Sequence, residues 1–336
     1  MGKNYTAGEP PLPESLSESD WDDAFAAPLA ASVPRALAGM RIDQALAKMF
    51  PQYSRNRLQA WLKSGHVHVK RGASVVLLEG KAPVLGGEQV ELVPPPVHDL
   101  AMPKAQRMAL DIVFEDADVI VIDKPAGLIV HPGAGNPDRT LMNALLAHQP
   151  ALRQVPRAGI VHRLDKDTSG LMVVAKNVTA QARLAEQLAS RSVSRGYLAL
   201  VHGDPPARGT IDAPIGRDSR ARTRMAVTQR GKEARTNYRV VERFGQGARP
   251  GFSLLECRLD TGRTHQIRVH LQHIGHPIVG DPVYRRGARQ GIPFERQALH
   301  AAELELLHPR SGKRMRWRAP LPGDMAKLLV RLRDDG

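Results

Sequence analysis

Two aspartates, Asp165 and Asp167, lie in a basic stretch of the sequence, GIVHRLDKDTSGLMVVAK, which spans residues 159–176. Arg163, Lys166 and Lys176 surround them with positive charge, which keeps a carboxylate ionised even where it is partly removed from water. An ionised carboxylate held in this way can act as a nucleophile. The stretch therefore predicts a reactive Asp165, whereas Asp167 is better suited to hold the turn.

The same pattern leaves other chemistry open. An aspartate in a surface turn commonly just stabilises that turn, and two neighbouring carboxylates can also form a glycosidase-like acid and base or half of a metal site. The hydroxyls of Thr168 and Ser169 and the permissive backbone of Gly170, directly before an apolar strand, favour a functional turn. Asp165 is therefore the main catalytic candidate.

A second cluster, TGRTHQIRVHLQHIGHP, spans residues 261–277 and is typical of a helix. Thr264 is a suitable N-cap and Gly275 a suitable end, and the apolar spacing places Arg268 beside the buried stripe. An arginine at a core edge needs an acidic partner or a phosphate, because an unpaired buried charge is costly. The cluster therefore predicts a charged partner for Arg268.

The histidines of this cluster raise the alternative of a zinc-dependent hydrolase. They are His265, His270, His273 and His276. Their spacing lacks the HExxH order, no glutamate lies between them, and no cysteine accompanies them. Packing, capping or RNA contact is the better interpretation, and we expect no metal site.

Tyr197 follows Ser194, Arg195 and Gly196 at the start of the strand-like segment RGYLALVHG. An aromatic residue in a strand usually belongs to the core. At the start of a strand, however, its ring can face a cleft and stack on a base. Tyr197 is therefore a candidate binding residue.

Two domains are expected to position these residues in a chain of 336 residues. Residues 1–34 are rich in Pro, Ser, Glu and Asp, which predicts a disordered acidic tail. Residues 35–95 predict a small domain of two helices and short strands, and residues 96–109 a proline-rich linker. Residues 110–336 mix strands and helices, which predicts an α+β domain built on a mixed, largely antiparallel sheet flanked by helices.

Charge and hydropathy restrict the class of partner. The formal net charge is +14, although residues 1–34 hold six acidic residues against one lysine. So basic a chain, without an evident amphipathic anchor, favours a nucleic acid over a membrane. We expect a cytoplasmic protein, since no apolar run approaches a membrane span and the N-terminus does not resemble a signal peptide. The single cysteine, Cys257, excludes a disulfide within the chain.

Four motifs occur in a fixed order, with PRAGI before the first: HRLDKDTSGL, RGYLALVHG, GRTHQIRVHL and GHPIVGDPVYR. In this order they resemble the RluA family, the pseudouridine synthases of large-subunit (23S) ribosomal RNA. The likeness covers roughly residues 110–333. The segment before it is similar to an S4 RNA-binding domain, and details such as HPGAGNPDRTLMNALL look closest to the RluD branch.

The resemblance implies roles for the candidate residues. Asp165 is implied to be the nucleophile, Tyr197 to pack on the target base and Arg268 to pair with the Asp165 carboxylate. Enzymes of this kind flip the target base out of the RNA, and Arg163 is implied to fill the gap. The remaining expected contacts with the uracil or the RNA are Ile267, Leu171, His162, Lys166, Arg263, Arg55, Arg57, Lys63, Lys70 and Arg71.

The implied reaction converts uridine to pseudouridine. The N1–C1′ bond breaks, the uracil turns and C5 bonds to C1′, so that no group is donated and no cofactor is needed. Three routes stay open: attack of Asp165 on C1′, its addition to C6 of uracil, and a glycal route. The implied target is the helix 69 hairpin of 23S ribosomal RNA, reached by a monomer during ribosome assembly. The alternatives are a synthase of the RluC type, acting on other 23S uridines, and a non-catalytic S4-domain assembly factor.

Overall fold

The computed structural model describes residues 29–50, 53, 55–72, 74–76, 81–93, 103–133, 136–218, 221, 224–245, 251–285 and 292–334. The chain divides between Met102 and Pro103 into two compact units, each of which is described by itself. None of the described helices is long and apolar enough to cross a membrane.

The small unit joins two helices to a four-stranded antiparallel sheet. Its elements are β1 (Leu29–Ser32), α1 (Ile42–Met49), α2 (Arg55–Lys63), β2 (Val67–Arg71), β3 (Ser74–Val76) and β4 (Gln89–Leu92). The strands lie in the order β1-β4-β2-β3. Leu46, Leu58 and Trp61, spaced for helices in the sequence, are buried in one core with Val69 and Leu92.

The small unit begins earlier than its composition predicts. Strand β1 pairs with β4 along its whole length, with Leu29 opposite Leu92, and Val33 is buried in the core. Residues 29–34, expected to belong to the disordered tail, are therefore part of the folded unit. Their sequence, LAASVP, is largely apolar, and only the average over residues 1–34 made this segment look like a polar tail. The rest of the predicted tail, residues 1–28, lies outside the described residues.

The large unit is built on a nine-stranded mixed sheet. Its strands are β5 (Ile112–Glu115), β6 (Val119–Lys124), β7 (Ser169–Ala175), β8 (Ser194–His202), β9 (Arg208–Asp212), β12 (Arg235–Phe244), β13 (Phe252–Leu259), β14 (Leu299–Leu307) and β15 (Arg314–Arg318). Two short strands, β10 (Ile215–Arg217) and β11 (Met225–Val227), form a separate hairpin. The helices are α3 (Leu141–His148), α4 (Val178–Ala189), α5 (Gln266–His273) and α6 (Gly323–Asp334).

The spatial order of the large sheet is β5-β6-β7-β14-β8-β13-β12-β9, with β15 paired to β14. Among the described pairs, β7 and β14 run parallel, and the others run antiparallel. The predicted α+β class with a mixed, largely antiparallel sheet is thus confirmed. Strand β7 is buried at every position, as its continuous apolar run LMVVA requires.

The large unit also begins before residue 110. The side-chain amide of Asn143, in the first turn of α3, donates to the Lys104 carbonyl over 2.8 Å. The backbone amide of Gln106 donates to the backbone carbonyl of Asn143 over 3.0 Å. Residues 103–109 of the predicted linker therefore pack on the large unit, whereas residues 94–102 lie outside the described residues.

Strands β7 and β14 approach so closely that only glycine fits at Gly170. A Cβ atom there would lie 2.3 Å from the Ala301 carbonyl oxygen and 2.5 Å from its amide nitrogen, and φ is +116°. We expect Gly170→Ala to lower the free energy of unfolding by at least about 3 kcal/mol, measured by denaturant titration. Gly275→Ala, at φ +86° with open space around it, is the matched control and should cost only about 1–2 kcal/mol. Equal losses in both variants would contradict this explanation.

Candidate active site

The turn that carries Asp165 directly precedes β7, and neighbouring backbone groups hold it. The Thr168 amide donates to the Asp165 carbonyl (N···O 3.1 Å), which closes the turn, and the Gly127 amide donates to the Lys166 carbonyl (2.9 Å). The Asp165 side chain therefore projects from a backbone that a second loop fixes.

Lys124, at the end of β6, also holds this turn although the sequence did not single it out. Its buried Nζ donates to the carbonyl oxygens of Pro125, Leu128 and Lys166 at 2.8, 2.9 and 3.0 Å. Burial lowers the pKa of Lys124 to about 7, although the charges of the nearby aspartates Asp165 and Asp167 oppose that change. Buried carbonyl groups need donors, so the Lys124 side chain joins the loop after β6 to the turn that carries Asp165.

Arg296 holds the other end of the turn. Its Nη1 donates to the Asp167 carbonyl over 3.0 Å, while Nε and Nη2 bind the two carboxylate oxygens of Asp324 at 2.6 and 2.9 Å. The side-chain amide of Gln297 also donates a hydrogen bond to the Thr168 hydroxyl (3.2 Å). Asp167 thus contributes its backbone to the scaffold, in agreement with the role expected for it.

The ion pair expected between Arg268 and Asp165 is present. Arg268 lies on α5 and donates from Nη1 to Oδ2 of Asp165 over 2.8 Å. Its Nε and Nη2 bind Asp281 in a bidentate pair, at 2.7 and 3.0 Å. The Asp281 side chain is fully buried, Arg268 is 5% exposed and Asp165 is 17% exposed. One guanidinium therefore joins a buried carboxylate to one that solvent can reach.

Asp281, which sequence reasoning missed, is oriented by the loop around it. Its Oδ1 also accepts hydrogen bonds from the amides of Val283 and Tyr284, at 2.8 and 2.9 Å. An aspartate that binds amides two and three residues ahead is a common turn former, and the motif GHPIVGDPVYR contained that signal. The turn aims the carboxylate at Arg268, which in turn positions Asp165.

The electrostatics of the site keep Asp165 ionised. Burial alone would raise the pKa of this carboxyl, but the charges of His265 and Arg268 and the Arg268 hydrogen bond lower it below its ordinary value. The two carboxylates hold the pKa of Arg268 well above its usual value against burial. Asp165 is therefore a carboxylate at neutral pH, as a nucleophile requires.

His265 and Tyr284 extend the site on the far side of Asp165. His265 Nε2 lies 3.9 Å from Oδ1 of Asp165, and its Nδ1 lies 2.8 Å from the Tyr284 hydroxyl. That hydroxyl also accepts the Met225 amide (2.9 Å), and the Arg268 guanidinium carbon lies 5.0 Å from the Tyr284 ring centre. The two Asp165 oxygens thus face different groups, Oδ2 facing Arg268 and Oδ1 facing His265.

Helix α5 begins differently from the predicted Thr264 cap. Its N-cap is His265, which adopts a left-handed backbone (φ 56°, ψ 20°) and makes no capping hydrogen bond. The Gln266 side chain instead orders the segment before the helix, since its Oε1 accepts hydrogen bonds from the Arg263 backbone amide (2.9 Å) and the Thr261 hydroxyl (2.8 Å). A left-handed residue without glycine's freedom is strained and is common at functional sites, which fits the position of His265 beside Asp165.

The histidine cluster does not converge on one point. The two ring nitrogens of His270 are bound to the Thr236 hydroxyl and the Ala213 carbonyl, at 2.8 and 2.9 Å. His276 Nδ1 lies 3.0 Å from the His202 carbonyl oxygen. His270 and His276 therefore serve packing and loop contacts, the interpretation favoured above over zinc ligation.

Tyr197 and Arg163 lie within electrostatic reach of Asp165. Tyr197 is 6% exposed, and burial together with the Asp165 charge raises the pKa of its hydroxyl. Arg163 is half-buried, and its charge contributes to the low pKa of Asp165. The structure thus brings together Asp165, Arg268, Tyr197 and Arg163, which lie up to about a hundred residues apart in sequence.

Several expected RNA or uracil contacts have structural partners instead. His162 Nε2 accepts the Val173 amide (3.1 Å), and burial and the nearby Arg195 lower its pKa to about 3. Leu171 is buried in a core with residues of α4. Arg263 Nε donates to the Glu233 carbonyl (3.0 Å).

Lys166 and Ile267 keep positions that suit their expected roles. Lys166 is exposed beside Asp165 in the turn. Ile267 is buried, at 4% exposure, on α5 next to Arg268. These two residues therefore stay candidates for RNA and uracil contact.

The basic residues expected to contact RNA in the small unit are mostly paired. Arg55 binds the buried Asp43 (2.7 Å), and Arg71 binds the buried Glu88 (3.2 Å). They stabilise buried carboxylates rather than form a free outer face. Lys70 makes an exposed pair with Glu91 (3.3 Å), Lys63 is exposed, and the Arg57 side chain lies outside the described residues.

Comparison with known proteins shows the family of this chain. A sequence model of the RNA pseudouridylate synthase family matches residues 118–273, which contain Asp165, Tyr197 and Arg268. Two human structures share the fold. RNA pseudouridylate synthase domain containing 1 has a TM-score of 0.50 and 29% identity, over 69% of this chain and 98% of that chain. RNA pseudouridylate synthase domain containing 4 has a TM-score of 0.51 and 27% identity, over 66% and 93%. Fold and site together define an RNA pseudouridine synthase.

Curated relatives match nearly the whole chain. The ribosomal large subunit pseudouridine synthase D of Nitrosomonas europaea is 51% identical over 99% of this chain and 94% of its own length. The protein of the same name from Escherichia coli (strain K12) is 50% identical over 91% and 95%, and that of Xylella fastidiosa 52% over 90% and 92%. The chain therefore belongs to the RluA family of pseudouridine synthases, in its RluD branch.

Proposed function

We propose that this chain isomerises uridines in the helix 69 hairpin of 23S ribosomal RNA. The observation that carries the proposal is the Asp165 carboxylate, held ionised by a buried Arg268 that is itself fixed by Asp281. The relatives named above act, by their names, on the large ribosomal subunit, and they match this chain over most of its length. The net charge of +14 suits an RNA substrate.

In this proposal each side chain of the site has one part. Arg268 holds Oδ2 of Asp165 at 2.8 Å, which leaves Oδ1 to face the substrate as the nucleophilic oxygen. The C1′–N1 bond breaks, C1′ bonds to C5, the C5 proton leaves and N1 gains a proton, so the reaction is balanced without a cofactor. Tyr197 is protonated at neutral pH, since burial raises its pKa still further above that range, and its ring packs on the uracil beside Ile267.

Base flipping needs a side chain that replaces the extruded uridine. Arg163 suits this part, because it is half-buried next to the turn and two residues before Asp165. A guanidinium is planar and stacks on bases, which lysine cannot do. Lys166, exposed in the same turn, contacts the adjacent phosphate in this proposal.

The small unit is proposed to be an S4-type RNA-binding domain. Lys63 and Lys70, both exposed, are its candidate phosphate contacts, and such contacts position an RNA more than they specify a sequence. We further propose that the protein acts in the cytoplasm as a monomer, on assembly intermediates of the large subunit.

The proposal is tested by mapping pseudouridines in 23S ribosomal RNA from cells that lack this protein, with and without the wild-type gene restored. We expect the pseudouridines of the helix 69 hairpin to disappear in the deletion and to return with the gene. The rest of the 23S map is the internal control and should not change.

Other outcomes point to the alternatives. Loss of uridine modification elsewhere in 23S ribosomal RNA would favour a synthase of the RluC type. An unchanged map with accumulating large-subunit precursors would favour a non-catalytic assembly factor. Either result would contradict the helix 69 assignment.

A further inference from the structure

One exposed face of the large sheet carries an unusual number of arginines. We call it the arginine face and define it by Arg208, Arg239, Arg258, Arg314, Arg316 and Arg318, each of which is exposed. They lie on β9, β12, β13 and β15, four strands whose sequences contain no lysine. Side chains alternate between the two faces of a strand, and on β15 the exposed positions are the three arginines.

The arginine face lies on the opposite side of the sheet from the catalytic residues. Tyr197 pairs with Cys257, Cys257 pairs with Tyr238, and all three are buried. Thr236, two positions from Tyr238 and therefore on the same side, bonds to His270 of α5. The exposed Arg239 and Arg258 follow Tyr238 and Cys257 by one residue, so they point to the other side.

Half-buried glutamates fix the arginines on β12 and β13. Glu256 is 17% exposed and forms ion pairs with Arg239 and Arg258, which are 63% and 49% exposed. Arg258 also forms an ion pair with Glu303 on β14, with 3.5 Å between Nη2 of the arginine and Oε1 of the glutamate. The carboxylates thus lie close to the sheet, and the guanidinium groups lie outside them, toward the solvent.

The same arrangement continues across β14 and β15. Glu303, 13% exposed, binds Arg316 and Arg318. Glu305, 21% exposed, binds Arg314 at 2.8 Å and Arg316 at 3.8 Å. Arg314 and Arg318 are 75% and 71% exposed. The ion pairs therefore form one continuous network over four strands, with an outer layer of arginine.

Stability alone does not explain this network. An exposed ion pair contributes little to the free energy of folding. Three arginines would be enough to neutralise the three glutamates, whereas five arginines contact them. Arginine presents a rigid fork of donors that matches phosphate oxygens, whereas lysine offers a single mobile charge. A groove of about 460 Å³, lined in part by Arg208, Arg239 and Arg258, adds a concave strip beside the network.

We propose that the arginine face binds the phosphate backbone of a ribosomal RNA segment outside the target hairpin, while the hairpin occupies the catalytic side. This proposal rests on the proposed function, because it needs a substrate large enough to reach both sides of the sheet. The guanidinium groups are already ordered by the glutamates, so little side-chain entropy is lost when a phosphate binds.

The test compares two RNAs: the isolated helix 69 hairpin and a longer 23S fragment that keeps the helices around it. The variant is Arg314→Gln with Arg318→Gln, which leaves Glu303 and Glu305 paired to Arg316. We expect its affinity for the long fragment at 0.15 M salt to fall about 5- to 20-fold. The slope of log K against log salt should fall by about 1 to 2, as for two lost phosphate contacts. Affinity and turnover for the isolated hairpin should stay within about twofold.

The matched control is Lys327→Gln with Arg333→Gln, which removes two exposed charges from α6 of the same unit. It should bind both RNAs as the wild type does. An equal loss in the control, an unchanged slope with the long fragment, or an equal loss with the isolated hairpin would each overturn the proposal. If the wild type modifies neither RNA, the proposed function fails, while the comparison of binding still decides the role of the arginine face.

Discussion

Replacing Asp165 with asparagine is expected to lower the rate of uridine isomerisation by at least about 10⁴-fold, as loss of a nucleophile does in other enzymes. The amide has the shape of the carboxylate, so its oxygen can still accept the hydrogen bond that Arg268 Nη1 donates to Oδ2. Arg268 also keeps its bidentate pair with Asp281. Folding and RNA affinity should therefore change little, within about threefold for the dissociation constant.

The measurement is the release of tritium from C5 of uridine in the hairpin RNA, because C5 loses its proton when it bonds to C1′. Asp167→Asn is the matched control in the same turn. The contact of Asp167 with Arg296 uses its backbone carbonyl, so this variant should keep most of its activity. More than about 1% residual activity in Asp165→Asn would contradict the nucleophile assignment.

Arg268→Lys is expected to lower turnover about 10²- to 10³-fold while the affinity for RNA stays within about twofold. Arginine reaches three carboxylate oxygens of two residues at once, at 2.7, 2.8 and 3.0 Å. A lysine ammonium keeps the charge but cannot form the bidentate pair with Asp281 and reach Asp165 together. Asp165 then loses its orientation rather than its ionisation, so the loss appears in turnover and not in binding.

Arg333→Lys is the control for the exchange of arginine for lysine. Arg333 also binds both oxygens of a carboxylate, that of Glu242, at 2.8 and 2.7 Å. It is half exposed, and turnover should not change. Thermal unfolding of both variants separates lost folding from lost positioning. Equal losses of turnover and RNA affinity in Arg268→Lys would show that Arg268 serves substrate binding instead.

Part of the site could be predicted from sequence because its signals are local. Asp165 stands out through the charges within a few residues of it, and Arg268 through its position beside the apolar stripe of a helix. The mixed, largely antiparallel sheet could also be predicted, since most of its strands show apolar patterns of the same short range, whereas the number and order of its strands could not. The prediction was wrong for residues 29–34, which were grouped with the polar residues before them although they are largely apolar. Their backbone pairs with β4, which lies far along the chain.

The residues that sequence reasoning missed act at a distance along the chain. Lys124 lies 42 residues before the Lys166 carbonyl that it binds, and Arg296 lies 129 residues after that of Asp167. Each has an ordinary local context, and only packing of the sheet brings its donor to the turn. The core around Leu171 and the bond from the Val173 amide to His162 depend likewise on packing that the sequence next to these residues does not reveal.

The sequence by itself determined the class of chemistry: a carboxylate in a positive environment, a basic chain suited to RNA, and an α+β catalytic domain. These properties are carried by residue types and by spacing over a few positions. The tertiary structure decided that Arg268 spans Asp165 and Asp281, that the two oxygens of Asp165 face different groups, and that the arginines of four strands share one face. Such relations depend on contacts between segments far apart in the chain, and backbone pairing and burial fix them only in the folded protein.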